Sequence, residues 1–220
     1  MARPRFNNLP PEKQRSILLA AAGEFARNGY QKASFNRIIQ ETGLSKGAMY
    51  YYFDDKMDLY KTVMIRLADR MVSEMGSFPE TETPEQFREE YNEFFRELTE
   101  LFVSEPMMPG LLKAFFSLSA SPMLQEILEE IYRGIGDLFS GLVSEGRRVK
   151  AIRKDVPEIL LIRLLLAVFQ PLDEYYAMLM AQGREISPEQ AGHVLTALTR
   201  QFLRPHPDED ELVIPELEDT

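Results

Sequence analysis

Hydroxyl-bearing, aromatic and cationic side chains are concentrated in SKGAMYYYF, residues 45–53 of the 220-residue sequence. The stretch places a lysine next to a glycine and ends in three tyrosines and a phenylalanine, and it fits no single amphipathic pattern. Hydroxyl and ammonium groups donate hydrogen bonds to phosphate oxygens, a lysine also reaches a guanine edge, and an aromatic ring packs on a thymine methyl group. These residue types together favour contact with nucleic acid. A helix whose tyrosines form a protein core and its rim is the alternative.

Two short helices joined by a tight turn are predicted around this stretch. Ser34 is suited to cap a helix over FNRIIQET, Gly43 ends that helix, and Ser45 is suited to cap the next one. Met49 and Phe53 are four residues apart, so they share a face that can hold the second helix against its neighbours. This is the helix-turn-helix arrangement, in which the second helix lies in the major groove of DNA and its N-terminal residues meet base edges.

The other residues of the second helix each have a chemical reason to face DNA. The hydroxyl or backbone N–H of Ser45 can meet a phosphate at the positive end of the helix, and Lys46 can reach a phosphate or a guanine. Gly47 lets the backbone approach the groove, and its helix penalty of about 1 kcal/mol is tolerated for that proximity. Three successive tyrosines lie about 100° apart on a helix and cannot all be buried together, and a lysine in the next helix adds a cation. These four residues are Tyr50, Tyr51, Tyr52 and Lys56.

The distribution of charge reverses the first impression given by the net charge of −10. Residues 1–53 contain eight lysines and arginines against three glutamates, whereas the other residues contain 17 basic and 32 acidic side chains. A local basic patch attracts phosphate whatever the total charge of the molecule. The sequence therefore predicts a basic N-terminal head on an acidic body.

A resemblance to the DNA-binding domain of the tetracycline-repressor (TetR) family of bacterial regulators covers residues 11–71, about a quarter of the chain, with the helix-turn-helix motif at 34–53. It rests on ILLAAAGEFARNGY and SFNRIIQETGLSKGAMYYYFDDKMDL, in which these residues fall where the family has them: Phe25, Gly29, Ile38, Gly43, Ser45, Lys46, Gly47, Tyr50, Phe53, Lys56 and Leu59. The resemblance implies DNA contacts by Ser34, Ser45, Lys46, Gly47, Tyr50, Tyr51, Tyr52 and Lys56. Tyr52 stands where a histidine is also common, and Arg37 is added to the set on its charge alone.

The same resemblance implies an all-α protein, in which a three-helix N-terminal DNA-binding domain precedes a larger C-terminal helical domain that dimerises and holds a small effector. The corresponding ranges are 11–71 for the DNA-binding domain and 72–204 for the C-terminal domain. Residues 205–220 form an acidic tail that we expect to be disordered, with a docking segment as the alternative.

Proline and serine residues mark the predicted helices of the body. Capping boxes with proline at the first helical position begin at Thr83 and Ser187, and Ser121 precedes Pro122 in the same way. We expect helices near 84–104, 108–120, 122–148, 156–182 and 187–203, and a linker at 76–84. Pro171 is expected to kink the fourth of these helices or break it in two.

A dimer is a physical requirement of this interpretation, because two DNA-binding heads about 34–36 Å apart are needed to read successive major grooves. The helices near 156–182 and 187–203 are the expected surface. ILLIRLLLAVF is apolar on nearly every side, and the last helix has an apolar stripe made of Val194, Leu195, Leu198 and Phe202. In the TetR family two such helices pair with their mates as a four-helix bundle. Core helices of a monomer are the alternative.

A small apolar or amphipathic effector is the expected ligand of the body, which is rich in soft and aromatic side chains. These side chains are Met107, Met108, Phe115, Phe116, Phe139, Phe169, Tyr175, Tyr176, Met178 and Met180. Because such residues also form ordinary cores, no effector-binding residue is assigned. Pro171 could free a carbonyl in the preceding turn as a polar handle inside the bundle.

Other functional classes leave little trace. The sequence has no cysteine, only His193 and His206 as histidines, no metal-binding motif and no glycine-rich phosphate loop, so we expect no catalytic residue, no metal and no cofactor. The N-terminus lacks the apolar region of a secretory signal, and the most apolar stretch is too short to span a bilayer. We therefore expect a cytoplasmic protein without membrane contact. Two carboxylates leave no motif, so an enzyme is one alternative, and a helical interaction module without DNA binding is another.

The sequence therefore predicts a homodimeric, sequence-specific transcriptional regulator that binds palindromic double-stranded operator DNA. We expect it to be a repressor. Effector binding would favour a spacing of the two heads that no longer matches successive major grooves, which requires different affinities for the two spacings. The sequence does not identify the operator, the effector, the regulated genes, the sign of regulation or the role of the tail.

Overall fold

The computed structural model describes residues 3–105, 107–108, 110–111, 114 and 122–205, and all regular secondary structure within these residues is α-helical. They form two compact units. The first unit takes its described residues from Met1–Arg70, Glu105–Ile131 and Tyr176–Arg184, and the second from Met71–Ser104, Tyr132–Tyr175 and Glu185–Thr220. The predicted all-α fold, with an N-terminal helix-turn-helix and a larger helical body, is confirmed. The domain boundaries 11–71 and 72–204 stay predictions.

Residues 3–75 of the chain form five helices. They are α1 (Pro4–Asn7), α2 (Pro11–Lys32), α3 (Phe35–Thr42), α4 (Lys46–Tyr52) and α5 (Lys56–Met75), of which α5 continues into the second unit after Arg70. One side of α2 faces the core, where Ile17 and Phe25 are fully buried. Met49 and Phe53 are fully buried in the same cluster, so the face of α4 that was predicted to hold this helix in place does so.

Gly29 bends the chain inside α2. Its φ of 67° is positive, as expected for a glycine that ends a helix, but its ψ of 164° lies outside the left-handed helical region. One more turn follows, and the N–H of Ala33 donates to the Gly29 carbonyl at 3.0 Å. The chain therefore bends at Gly29 before it enters α3.

The start of α5 is fixed by two aspartates. The Asp58 N–H donates to Asp55 Oδ1 at 2.8 Å, and the Asp54 N–H donates to Asp58 Oδ2 at 3.1 Å. Asp55 thus caps α5, and Asp58 accepts the N–H of the residue before the cap, so this arrangement resembles a capping box and satisfies N–H groups that have no partner inside the helix. It also sets where the chain leaves α4.

The described residues from 84 onward include four long helices, α6 (Pro84–Ser104), α7 (Pro122–Arg148), α8 (Glu158–Ala181) and α9 (Pro188–Leu203). They begin and end within two residues of the predicted bounds. Two predicted caps are present, because Thr83 Oγ1 accepts the Gln86 N–H at 3.1 Å and Ser187 Oγ accepts the Gln190 N–H at 3.3 Å. The predicted helix near 108–120, the Ser121 cap and the tail beyond Pro205 lie wholly or largely outside the described residues.

In the second unit α6 packs along α9, and the buried hydroxyls of Tyr91 and Thr199 are 2.5 Å apart in this contact. Gly192 of α9 approaches α6 so closely that a Cβ in its place would lie 3.1 Å from the Cα of Arg96. In the described part of the chain, no helix has the length and hydropathy needed to cross a bilayer.

Residues 76–84, predicted to be a linker, pack within the second unit instead. Phe78 is buried, and its ring centre lies 5.6 Å from that of Phe94. The hydroxyl of Thr81 donates to Glu145 Oε1 at 2.8 Å. The linker prediction is wrong because a polar, proline-containing composition did not reveal that one aromatic side chain and one threonine anchor the segment.

Pro171 does not divide α8, which runs through it without a break. Pro171 is exposed, and so is Ala167, the residue whose carbonyl loses its N–H partner to the proline ring. The idea of a polar handle inside the bundle is therefore wrong, because the freed carbonyl belongs to an exposed residue of the chain.

Candidate nucleic-acid interface

The turn between α3 and α4 is built by two side-chain caps and one left-handed glycine. Ser34 Oγ accepts the Arg37 N–H at 3.3 Å, and Ser45 Oγ accepts the Ala48 N–H at 3.1 Å. Gly43 has φ 65° and ψ 15°, the left-handed conformation in which it ends α3. The predicted helix-turn-helix geometry is present, and both serine hydroxyls hold the ends of its helices.

The short helix α4 is buried on one face and exposed on another. Met49 is fully buried, whereas Tyr50 and Tyr51 keep 42% and 47% of their surface exposed. Lys46 and Gly47 are exposed as well. Because these four exposed residues recur at intervals of four along the helix, they share one side, which we call the exposed face of α4. It presents an ammonium, a bare stretch of backbone and two phenol groups.

Gly47 is not required by packing within the fold. A Cβ added at this position would meet only Ser45 Oγ, at 4.0 Å, which is ordinary van der Waals distance. Glycine in a helix is less favourable than alanine by up to about 1 kcal/mol. Packing within the chain therefore does not explain why position 47 is a glycine. A close approach of DNA to this backbone stays a prediction.

The three tyrosines differ in their surroundings. The Tyr50 ring packs edge-on against Phe35, with 5.2 Å between ring centres, and still leaves its surface partly open. Tyr52 is half-buried and contacts Phe6, with ring centres 6.3 Å apart. The structure thus exposes Tyr50 and Tyr51 more than Tyr52. A DNA contact by Tyr52 stays a prediction.

Arg37 is held by a buried carboxylate of α2. Its Nε and Nη2 donate to Glu24 Oε1 at 2.9 and 2.6 Å, and Nη2 also donates to the Lys32 carbonyl at 3.2 Å. Glu24 also accepts the Ser34 N–H, at 2.7 Å. Burial alone would raise the pKa of Glu24, but these hydrogen bonds and the charges of Arg37 and Arg27 leave that pKa below its usual value. The network joins α2 to α3, and a phosphate contact by Arg37 stays a prediction.

Lys56 binds the backbone carbonyls at the C-terminal end of α2. Its ammonium donates to the carbonyls of Tyr30 at 2.8 Å, Gln31 at 3.2 Å and Ala33 at 3.1 Å. Burial lowers the pKa of Lys56, and the charge of Glu24 opposes this to a smaller degree. An ammonium has three N–H donors, so these carbonyls occupy all of them. A phosphate contact by Lys56 stays a prediction, and the three carbonyls already explain why a lysine is present.

Arg3 and Arg5 lie beside α4, and the sequence did not single them out as candidate site residues. The backbone N–H of Arg3 donates to the Tyr52 carbonyl at 2.9 Å. The guanidinium carbon of Arg5 lies 4.3 Å from the centre of the Tyr51 ring. Because these partners are far apart in sequence, the only available signal was the basic composition of the N-terminus.

The exposed face of α4 supplies hydrogen-bond donors, one cation and aromatic ring surfaces. These groups suit the binding of a ligand. Within the described residues, no group of three or more histidine, aspartate or glutamate side chains could hold a metal ion. His193 is exposed on α9, and His206 lies outside the described residues.

Comparison with known protein families gives one match in this region. Residues 17–63 match the model of a family described as bacterial regulatory proteins, tetR family. The matched segment contains the whole of α3 and α4, and it ends inside α5. The turn described above therefore lies within the matched segment.

Two relatives cover different shares of the chain. The HTH-type transcriptional activator FasR of Mycolicibacterium smegmatis is 40% identical over 70 residues, which are 31% of this chain and 32% of FasR. The HTH-type transcriptional repressor BepR of Brucella suis is 24% identical over 192 residues, which are 87% of this chain and 79% of BepR. The chain thus spans about a third of the first relative and most of the second.

The fold extends the similarity beyond the matched segment. The transcriptional regulator FadR from Bacillus subtilis, solved in complex with stearoyl-CoA, aligns with a TM-score of 0.66 and 17% identity. The alignment covers 86% of this chain and 98% of the FadR chain. At this level of identity the similarity concerns the fold alone.

Proposed function

We propose that this chain, which belongs to the TetR family of bacterial transcriptional regulators, binds a palindromic operator as a homodimer and represses transcription until a small effector binds its helical body. It would act on double-stranded DNA in the cytoplasm, without catalysing a reaction. The observation that supports this most directly is the exposed face of α4, opposite a fully buried Met49.

In this proposal the exposed face of α4 enters the major groove. Lys46 donates to a phosphate or to a guanine edge, and the backbone at Gly47 comes close to the groove wall. The hydroxyls of Tyr50 and Tyr51 donate to phosphate oxygens. Ser34 and Ser45 accept their capping N–H groups, so each hydroxyl proton is still available for a phosphate oxygen.

The test begins with a selection, because the operator is not known. The full chain is incubated with a random-sequence duplex library, and the duplex that it enriches becomes the probe. Affinity for that duplex is then measured over a series of salt concentrations. We expect affinity to fall steeply with salt, because each neutralised phosphate contributes about 0.9 to the slope of log K against log salt. A chain that enriches no duplex would contradict the proposal.

The role of the exposed face of α4 is tested by Lys46→Ala. We expect this variant to bind the selected duplex more weakly while its melting temperature and its oligomeric state stay those of the parent. Lys154→Ala removes the same charge from an exposed position in the second unit and serves as the control. If the parent and Lys46→Ala bind the duplex with equal affinity, a surface other than the exposed face of α4 contacts the DNA.

Dimerisation is supported by apolar side chains that the chain leaves exposed. They lie on α8 and α9 and are Ile159, Leu160, Tyr175, Met178, Val194 and Leu198. Monomeric soluble proteins rarely expose extended apolar surface, and contact with a second copy would remove this surface from water. The proposed interface therefore uses the helices predicted near 156–182 and 187–203.

The proposed effector is a small apolar or amphipathic molecule. Phe95, Phe139 and Phe169 pack with one another inside the second unit, which is a setting for either an ordinary core or an apolar ligand. Stearoyl-CoA is the first molecule to try, because the FadR structure with the similar fold contains it.

Thermal unfolding and DNA displacement test this effector class. Stearoyl-CoA is compared with free coenzyme A and with a long-chain fatty acid. A ligand that prefers the folded chain raises its melting temperature, and an effector also releases the selected duplex. If none of the three molecules changes either measurement, acyl ligands are excluded as effectors.

Repression is proposed rather than activation because of how far each relative aligns. The repressor BepR aligns over 87% of this chain, and the activator FasR over 31%. The sign is measured with a reporter gene placed behind the selected duplex. Higher reporter expression without the protein supports repression, and lower expression contradicts it.

A further inference from the structure

The N-terminal helix α1 (Pro4–Asn7) precedes the segment that matches the family model and packs against α4. Phe6 is fully buried, and its ring centre lies 4.9 Å from that of Phe53. Burying a phenylalanine side chain removes apolar surface from water, which stabilises the contact. A helix of four residues cannot form alone, so α1 depends on this contact for its position.

Arg3 fastens the same segment to the C-terminal end of α4. Its backbone N–H donates to the Tyr52 carbonyl at 2.9 Å, and its Nη1 donates to the Tyr50 carbonyl at 3.2 Å. Its Nε donates to Asp54 Oδ1 at 2.9 Å. The last carbonyls of a helix have no partner inside it, so Arg3 satisfies two of them. α1 and α4 are therefore held in one fixed arrangement.

Arg5 lies between Arg3 and Phe6 in the sequence, and its side chain has a different environment from theirs. Its side chain is exposed, and its guanidinium carbon is 4.3 Å from the centre of the exposed Tyr51 ring. In the part of the chain that the structure describes, Arg5 makes neither an ion pair nor a hydrogen bond through its side chain, whereas Arg3 and Arg37 are paired with carboxylates. Its five N–H donors are thus uncommitted, and the ring limits where they can point.

We propose that Arg5 contacts a DNA phosphate beside the exposed face of α4, and that α1 serves to present it there. This inference rests on the proposed function, since it adds a contact to the same DNA interface. A guanidinium presents donors in a fork that matches two phosphate oxygens. Tyr51 holds the cation next to a helix that enters the groove, so less side-chain freedom is lost when the phosphate is bound.

The test compares three variants of the full chain on the duplex that the parent enriches from a random-sequence library. Arg5→Gln removes the charge, Arg5→Lys keeps it, and Lys154→Gln removes a charge from an exposed site in the second unit. Affinity is measured over a series of salt concentrations, and thermal unfolding is recorded for each variant.

For Arg5→Gln we expect the slope of log K against log salt to shrink by about 1.8, because each of two copies loses one phosphate contact worth about 0.9. Arg5→Lys should keep most of the slope, and Lys154→Gln should keep all of it. All three should melt as the parent does. If Arg5→Gln has the slope of Lys154→Gln while the parent binds the duplex, only the present inference fails. If the parent enriches no duplex, the proposed function fails and this inference with it.

Discussion

At the scale of single residues, Gly47 allows stability and DNA binding to be separated. The nearest atom to an added Cβ is Ser45 Oγ at 4.0 Å, so Gly47→Ala introduces no clash. We expect the free energy of unfolding to rise by up to about 1 kcal/mol, because alanine is the better helix former. We expect affinity for the selected duplex to fall, because the methyl group occupies space that the groove wall needs. Denaturant unfolding and duplex titration measure the two effects.

Gly141→Ala is the matched control for this prediction. Gly141 is an exposed helical residue of α7, and an added Cβ there meets no atom within 4 Å. It should gain stability in the same way and leave DNA affinity unchanged. A Gly47→Ala protein that is more stable and binds the duplex as tightly as the parent would show that the groove does not approach this position.

Lys56→Met distinguishes a structural role of Lys56 from a phosphate contact. The substitution leaves the carbonyls of Tyr30, Gln31 and Ala33 without their donor, which should cost about 1–3 kcal/mol of stability. If Lys56 also contacts a phosphate, the salt slope of DNA binding should become smaller, whereas a purely structural role leaves the slope at the parent value. Denaturant unfolding and a salt series check both expectations. Unchanged stability together with a smaller slope would show that the ammonium faces DNA after all.

Local rules were enough to predict some site residues and not others. Ser34 and Ser45 cap their helices as expected, because capping depends on residues only three positions apart. Arg37 and Lys56 looked like free cations, because the carboxylate that pairs with Arg37 is 13 residues away and the carbonyls that bind Lys56 are 23 or more residues away. The place of Arg5 over Tyr51 depends on a contact between distant segments, which no local pattern contains.

At the scale of elements, the sequence predicted helix bounds better than it predicted what lies between helices. Thr83 and Ser187 mark helix starts by chemistry that is visible in the sequence. Residues 76–84 were misjudged because burial of Phe78 depends on rings of α6 that lie far from it in sequence. Pro171 was expected to kink α8 or break it in two, and the break is absent because the helix continues through the proline. The kink stays a prediction.

Glu145 and Arg148 of α7 both bind residues 76–84 at Thr81, and the charge of Glu145 makes its contact depend on pH. Arg148 donates to Glu145 at 2.8 Å through both Nε and Nη2, and the hydroxyl of Thr81 donates at 2.8 Å. The hydrogen bonds from Arg148, followed by those from Thr81, outweigh burial and lower the pKa of Glu145 to about 2. In the unfolded chain the pKa of a glutamate is about 4.3.

We expect Glu145→Gln to lower the free energy of unfolding at neutral pH and to make that free energy less dependent on pH. Because the pKa is lower in the folded chain, the stabilisation is present above about pH 4.3 and is lost as the pH falls towards 2. At pH 7 the variant should lose about 1–3 kcal/mol. Denaturant unfolding at several pH values between 2 and 7 measures the difference between parent and variant, which should shrink as the pH falls.

Glu85→Gln controls for the loss of one negative charge. Glu85 pairs with Arg88 on the exposed side of α6, where an ion pair contributes little. We expect this variant to keep the parent's stability at neutral pH. A Glu145→Gln protein whose stability differs from the parent by the same amount at every pH would contradict the ionic account of this contact.

At the scale of the whole molecule, α9 has two apolar faces with different roles. Leu195 is buried within the second unit and Gly192 lies against α6, whereas Val194 and Leu198 keep 44% and 45% of their surface exposed. The stripe predicted from the sequence combined both faces, because spacing alone does not show which side meets the core. In the proposed homodimer, which two DNA-binding heads require, a second copy of the chain would cover the exposed face.

Leu198→Glu should therefore separate the two copies. A carboxylate placed in an apolar interface between copies would lose its water without a partner, so the dimer should dissociate while each chain stays folded. A single head keeps only one half-site, so affinity for the selected duplex should fall roughly 100-fold or more. His193→Glu, on the polar side of the same helix, should remain a dimer with the parent's affinity. Sedimentation equilibrium and duplex titration are the measurements. If Leu198→Glu remains dimeric, the copies meet through another surface. If it is monomeric and still binds as tightly as the parent, DNA recognition does not need the pair.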